Sequence, residues 1–302
     1  MAYVTVLPSI ITLLNGICGF AAIAFASHGQ QPYSFHRIDF SSNLAVAAYL
    51  IFVAMVADML DGRVARMSHT TSSFGGQLDS LCDVISFGVA PAFLVLKVLE
   101  TKFVDLVNPG EPLVGMVLRF IWLAAGVYVV CAILRLARFN VENAEDETAH
   151  MTFTGLPTPA AAGVLASLFL FHEETLKPIA GRFPVFAAAQ NSVVYVLPFA
   201  AIALGVLMIS RIRYPHMVNQ YLRGNRPLRQ LLWPAAIFAV IWLFGLSTAL
   251  MVSFVGFAAS GFLHWLYVRA VLNRGTEQAL ADGSGAGSNQ PRPSQQLPDV
   301  RG

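Results

Sequence analysis

The stretch Asp58–Asp83 reads DMLDGRVARMSHTTSSFGGQLDSLCD, between the apolar runs LAVAAYLIFVAMVA upstream and VISFGVAPAFLVL downstream. Asp58, Asp61, Asp79 and Asp83, with Arg63 and Arg66, therefore stand where the flanks have the length and apolarity of membrane spans. A helix of roughly 20 mostly apolar residues crosses a hydrocarbon core about 30 Å thick. An ionisable group within such a span costs roughly 2.5–3.5 kcal/mol on insertion scales and usually marks function.

The whole chain supports that reading. Of its 302 residues, 56% are hydrophobic and only 12% charged, with a mean hydropathy of +0.62. Soluble domains are closer to a quarter charged. The expected fold is an all-α polytopic membrane protein, a bundle of about eight transmembrane helices with a polar cavity at the cytoplasmic side. Candidate spans are Pro8–Ser27, Asn43–Arg63, Leu78–Leu99, Val114–Leu134, Thr158–Phe171, Val193–Ser210, Leu231–Leu250 and Met251–Val268. The last two nearly abut, which requires a tight turn near Ser247–Ser253. The N-terminal MAYVTVLPS has no Lys or Arg before its first apolar run, so that run reads as a retained span rather than a signal peptide.

Two regions are expected: a transmembrane catalytic domain over 1–271 and a disordered cytoplasmic tail over 272–302. From Gly275 the chain is rich in Gly, Ser, Gln and Pro and has no apolar periodicity. A net charge of +2 does not suggest a nucleic-acid partner. Cys18, Cys82 and Cys131 all fall in apolar segments, an odd number that suggests neither a disulfide framework nor a zinc site.

Orientation follows from Arg and Lys in short loops. The segment RIRYPHMVNQYLRGNRPLRQ, 211–230, holds five arginines and no acid, which assigns it to the cytoplasm. Alternation then places the 58–83 stretch, Arg135, Arg138 and both termini on the same side. The 211–230 run itself is read as an anchor to anionic headgroups.

Spacing brings the acids together. Asp58 and Asp61 are i, i+3 and share a helix face, continued by Ala65 at i+7. Gly75, Asp79 and Asp83 are i, i+4, i+8 on the next helix, and the polar MSHTTSS joins the two helices as neighbours. Four carboxylates in one small volume repel, and a divalent cation, or two, resolves this. Oxygen-only ligation favours Mg²⁺ or Mn²⁺ over zinc, and two ions about 3.5–4 Å apart suit in-line displacement at phosphorus. Gly62, Ala65 and Gly75 remove bulk beside the acids, where a diphosphate could approach, and Arg66 adds a positive charge. The blander reading, acids snorkelling or forming salt bridges, has only two nearby arginines for four aspartates.

The pattern D58-x2-D61-G62-x2-A65-R66-x8-G75-x3-D79-x3-D83 resembles, without a gap, the signature of the CDP-alcohol phosphatidyltransferase family. The resemblance implies displacement of CMP from a CDP-linked lipid by an alcohol, with a divalent metal. It implies metal ligation by Asp58, Asp61, Asp79 and Asp83, with Asp83 also the base that takes the acceptor's proton. Gly62, Ala65, Arg66 and Gly75 would line the CDP-lipid site, and a homodimer is implied as well.

Three further stretches resemble the serine-transferring branch: SFGVAPA (86–92), RLARFN (135–140) and FTGLPTPAAAG (153–163). The opening LPSIITLLNGICGF is also similar, although Ser9 stands where that branch leads one to expect Asn. Thr12 and Asn15 remain polar on one face of the first helix. The implied substrates are CDP-diacylglycerol and L-serine. A serine carboxylate needs a cation, which Arg135 or Arg138, with Asn140, would supply; positive-inside anchoring or a bound lipid phosphate is the other reading of these arginines. The setting implied is a bacterial inner membrane. Inositol or glycerol phosphate as acceptor is the nearest alternative. A cation transporter would place its acids near the midplane on broken helices, often in paired repeats, and no second half mirrors this one.

Overall fold

Apolar runs of this length can satisfy their backbone groups inside a membrane only as helices or closed barrels, and the chain forms helices. The structure, a computed structural model, describes residues 2–68, 73–106, 112–145, 155–212, 241 and 245–285. The chain divides into two compact units, Met1–Gly261 and Phe262–Gly302.

Helix α1 (Ala2–Ser27) is followed by a short antiparallel hairpin, β1 (Tyr33–Phe35) and β2 (Ile38–Phe40), with Tyr33 opposite Phe40. Helix α2 (Asn43–Ser68) returns along α1, its most extensive partner. Helix α3 (Ser73–Asp83) runs through a π-helical turn, Val84–Val89, into α4 (Ala90–Leu106). Then come α5 (Pro112–Glu145), α6 (Thr158–Leu170), a second π-helical turn (Phe171–Leu176) and the short α7 (Lys177–Arg182). A single 3₁₀ turn, Pro184–Phe186, leads into α8 (Ala187–Ile209), which packs along α5. The last described helix is α9 (Leu246–Gly285).

Among the described residues, six helical stretches are long and apolar enough to cross a membrane, against the eight spans expected. The fifth expected span, Thr158–Phe171, forms α6, only 13 residues long before His172, Glu173 and Glu174 interrupt its apolar character. It is apolar on all sides because it is central: 11 of its 13 residues are buried. The seventh, Leu231–Leu250, lies mostly outside the described residues. The tight turn expected near Ser247–Ser253 is corrected, since α9 is continuous there. Just before it stands Gly245, whose φ of +89° is a left-handed conformation natural to glycine. Helix α9 also continues through Gly285, past the boundary at 272, and 286–302 lie outside the described residues.

Two glycines set the geometry around the acids. At Gly19 of α1 a methyl group would overlap Ser86 in the π-helical turn, so only glycine lets α1 lie this close to the segment after Asp83. Gly155 has φ +86°, and a methyl there would run into the Met208 carbonyl. Its N–H donates to the Ile212 carbonyl at 2.8 Å, and the next N–H, of Leu156, donates to Leu207 at 3.1 Å. The GLP segment is thereby pinned to the end of α8. Within the second unit, Phe262 stacks on Trp265 at 6.0 Å between centroids, and the Arg269 guanidinium lies 5.3 Å from the Trp265 ring.

Candidate active site

The last turns of α2 carry Asp58 and Asp61, and α3 carries Asp79 and Asp83. The residues between the helices, 69–72, lie outside the described set. Asp58, Asp79 and Asp83 each offer a carboxylate oxygen, and the three oxygens lie within 4.8 Å of one another. Asp61 is not one of this trio. Its carboxylate, 7% exposed, accepts a hydrogen bond from the Thr12 hydroxyl of α1, while its Oδ1 is buried without a partner among the described residues. Asp83, 8% exposed, accepts from the Asn15 amide, Nδ2 to Oδ1 at 2.8 Å. Helix α1 thus touches one acid from each of the two acid-bearing helices. The sequence marked Thr12 and Asn15 as a polar stripe but assigned them no partner; two polar residues one turn apart in an apolar span were the available signal.

The remaining expected site residues are distributed around this centre. Gly62 is exposed, and among the described residues a methyl on it would meet nothing within 4 Å. Gly75 is half-buried on α3. Ala65 and Arg66 belong to the final turn of α2, with side chains outside the described set. Arg135 of α5 is close enough to Asp83 to interact with it electrostatically. Arg138, one turn on, donates instead to the Ile209 carbonyl at 3.1 Å. There it caps the end of α8, where the helix dipole favours a cation. Asn140 Oδ1 accepts from the Ser80 hydroxyl at 2.9 Å, which links α5 to the residue after Asp79.

The SFGVAPA stretch lies behind the acids. Its Ser86 hydroxyl donates to the Asn15 carbonyl at 2.8 Å, and the Tyr128 hydroxyl of α5 donates to the Phe87 carbonyl at 3.0 Å. The π-helical register frees carbonyls that an α-helix would use internally, and such bulges are common at functional sites.

Three clustered carboxylate oxygens, with an orphaned buried oxygen on Asp61 nearby, form an oxygen-only donor set. Without a counter-charge they repel. Carboxylate-only ligation suits a hard divalent cation rather than a softer one.

Residues 5–207 match the family described as CDP-alcohol phosphatidyltransferase, and the chain belongs to that family. It is 32% identical over 209 residues to a CDP-diacylglycerol–serine O-phosphatidyltransferase of Helicobacter pylori, covering 69% of this chain and 71% of the relative. An archaetidylserine synthase of Methanothermobacter thermautotrophicus is 33% identical over 214 residues, 70% of each chain. A CDP-diacylglycerol–serine O-phosphatidyltransferase of Bacillus subtilis is 30% identical over 210 residues, 70% of this chain and 90% of the relative.

Proposed function

We propose that this integral membrane protein transfers the phosphatidyl group from CDP-diacylglycerol to L-serine, giving phosphatidylserine and CMP. The observation that carries the reading is the convergence of Asp58, Asp79 and Asp83 from two helices onto one small volume. The relatives' names agree on serine while differing in the lipid, which supports serine as the acceptor.

The acids would hold Mg²⁺ or Mn²⁺, with Asp61 and its unpartnered oxygen available to a second ion. When bound, the cation neutralises the diphosphate and makes cytidylate a better leaving group. The chain's own residues do the rest. The backbone at Gly62, with Ala65, Gly75 and Arg66, receives the diphosphate. Asp83 takes the proton of the serine hydroxyl as its oxygen attacks the phosphatidyl phosphorus. The bond from that phosphorus to the CMP oxygen breaks, and CMP leaves with the electron pair. Proximity and fixed charges supply most of the acceleration.

Arg135 is the better candidate for the serine carboxylate, because its charge acts on Asp83 while Arg138 sits at the end of α8. Asn140, linked to Ser80 beside Asp79, stands ready to orient the same group. The Arg-rich 211–230 segment supports a cytoplasmic position for the acid end, in a bacterial inner membrane, where serine and the lipid's nucleotide both meet water. A homodimer within the membrane lipids belongs to the same reading.

Purified protein is expected to release CMP from CDP-diacylglycerol only with L-serine and Mg²⁺ or Mn²⁺. Equal release with inositol or glycerol phosphate would overturn the serine assignment.

A further inference from the structure

We infer that Asn15 is a positioning residue for the transfer: it anchors Asp83 by one oxygen and so fixes the carboxylate against the acceptor hydroxyl and the cation. This deepens the function proposed above and rests on it for the chemistry. Asn15 is completely buried in an apolar helix, where an amide is retained only if it has work to do. Its Nδ2 donates to Asp83, while its own Oδ1 is buried with no partner among the described residues. Rotating the amide would set oxygen against oxygen, so the orientation is dictated by the acid and not by the helix that carries Asn15. An apolar residue of the same size would satisfy α1 better, which makes the bond to Asp83 the reason for an amide here.

The anchor is itself held rigidly. The Ser86 hydroxyl grips the Asn15 carbonyl at 2.8 Å, and the bare face of Gly16 lies against Cys82, where an added Cβ would be 2.9 Å from the sulfur. Asn15 is therefore seated against the turn that begins at Asp83. One helical turn earlier, Thr12 makes the corresponding bond to Asp61. Ligands held from behind by such partners typically lose 10- to 100-fold in metal affinity or activity when the partner is removed.

The competing view is that Asn15 merely glues α1 to α3, since polar residues also stabilise helix contacts in membranes. Tyr128→Phe separates the two, because it removes a buried interhelical bond to the same π-helical turn without touching an acid. In detergent-purified full-length protein, Asn15→Leu is expected to keep its thermal unfolding temperature near that of Tyr128→Phe. Its kcat with serine should fall at least 30-fold, with the KM for CDP-diacylglycerol changed less than threefold. Mn²⁺ affinity, followed by electron paramagnetic resonance without lipid substrate, should weaken about tenfold. Tyr128→Phe should leave kcat and Mn²⁺ affinity within threefold of the parent.

Asn15→Leu matching Tyr128→Phe in both measurements would overturn the inference. If Asn15→Leu fails to fold, Asn15→Ala, which only removes atoms, decides by the same two numbers. A parent protein inert toward serine would sink the proposed function, while the Mn²⁺ comparison would still judge Asn15.

Discussion

Asp83→Asn separates the chemistry from the fold more cleanly than any other change at this site. The substitution is nearly isosteric, and the new amide oxygen can still accept the Asn15 hydrogen bond now made at 2.8 Å. A charge-assisted bond becomes a neutral one, roughly half as strong, a loss of about 1 kcal/mol. Against this, one of three carboxylates whose oxygens lie within 4.8 Å of one another disappears. At an effective dielectric of about 20 and that separation, each like-charge pair is worth roughly 3 kcal/mol, so the metal-free fold loses nothing net. The chemistry has no such compensation. An amide cannot take the serine proton, and a positioned base contributes about 10²–10⁴ in rate, which is about 3–5 kcal/mol of barrier. CMP release with serine and Mn²⁺ should therefore fall by two to four decades. CDP-diacylglycerol binding should stay within about tenfold, because Asp58 and Asp79 remain in place. A kcat within tenfold of the parent would refute the base role. A loss of turnover fully accounted for by lost lipid binding would do the same.

Three other outcomes follow from particular contacts. Arg135→Ala should raise the serine KM at least tenfold, whereas Arg138→Ala should mainly loosen the end of α8, by about 0.3–1 kcal/mol, with a nearly unchanged serine KM; the reverse pattern would exchange their roles. Gly155→Ala must place a side chain at φ +86° and a methyl against the Met208 carbonyl, costing about 1–2 kcal/mol in backbone and about 1–3 in overlap; thermal unfolding in detergent at the parent temperature would contradict this. Chelation by EDTA should abolish CMP release, and Mg²⁺ or Mn²⁺ should restore it while Zn²⁺ does not; activity persisting in EDTA would remove the cation from the reaction.

What could be read from the sequence was what is local. The i, i+3 pair on α2 and the i, i+4 pair on α3 placed the acids on two faces, and the short connection made the helices neighbours. Asp58, Asp79 and Asp83 accordingly meet, and the family signature follows from the same spacing. Asp61 differs because its partner, Thr12, is 49 residues away, and no spacing rule reaches that far. The division of labour between Arg135 and Arg138 was hidden for a related reason. The two stand three residues apart on α5, and only the packing of α8 decides which of them meets a helix end and which approaches Asp83. Helix limits were least legible where apolar sequence is continuous. Nothing in LFGLSTALMVS marks a boundary except Gly245, whose positive φ stands immediately before the start of α9. Similarly, the apolar run of the fifth span stops at His172, although a π-helical turn carries the helical path on to Arg182.

Locating Mn²⁺ by anomalous scattering in crystals of the full-length protein addresses the metal-centred account most directly. A peak is expected about 2.0–2.3 Å from carboxylate oxygens of Asp58, Asp79 and Asp83 together, lost in Asp79→Asn. Manganese bound elsewhere, or those three carboxylates remaining ligand-free at saturating metal, would contradict it.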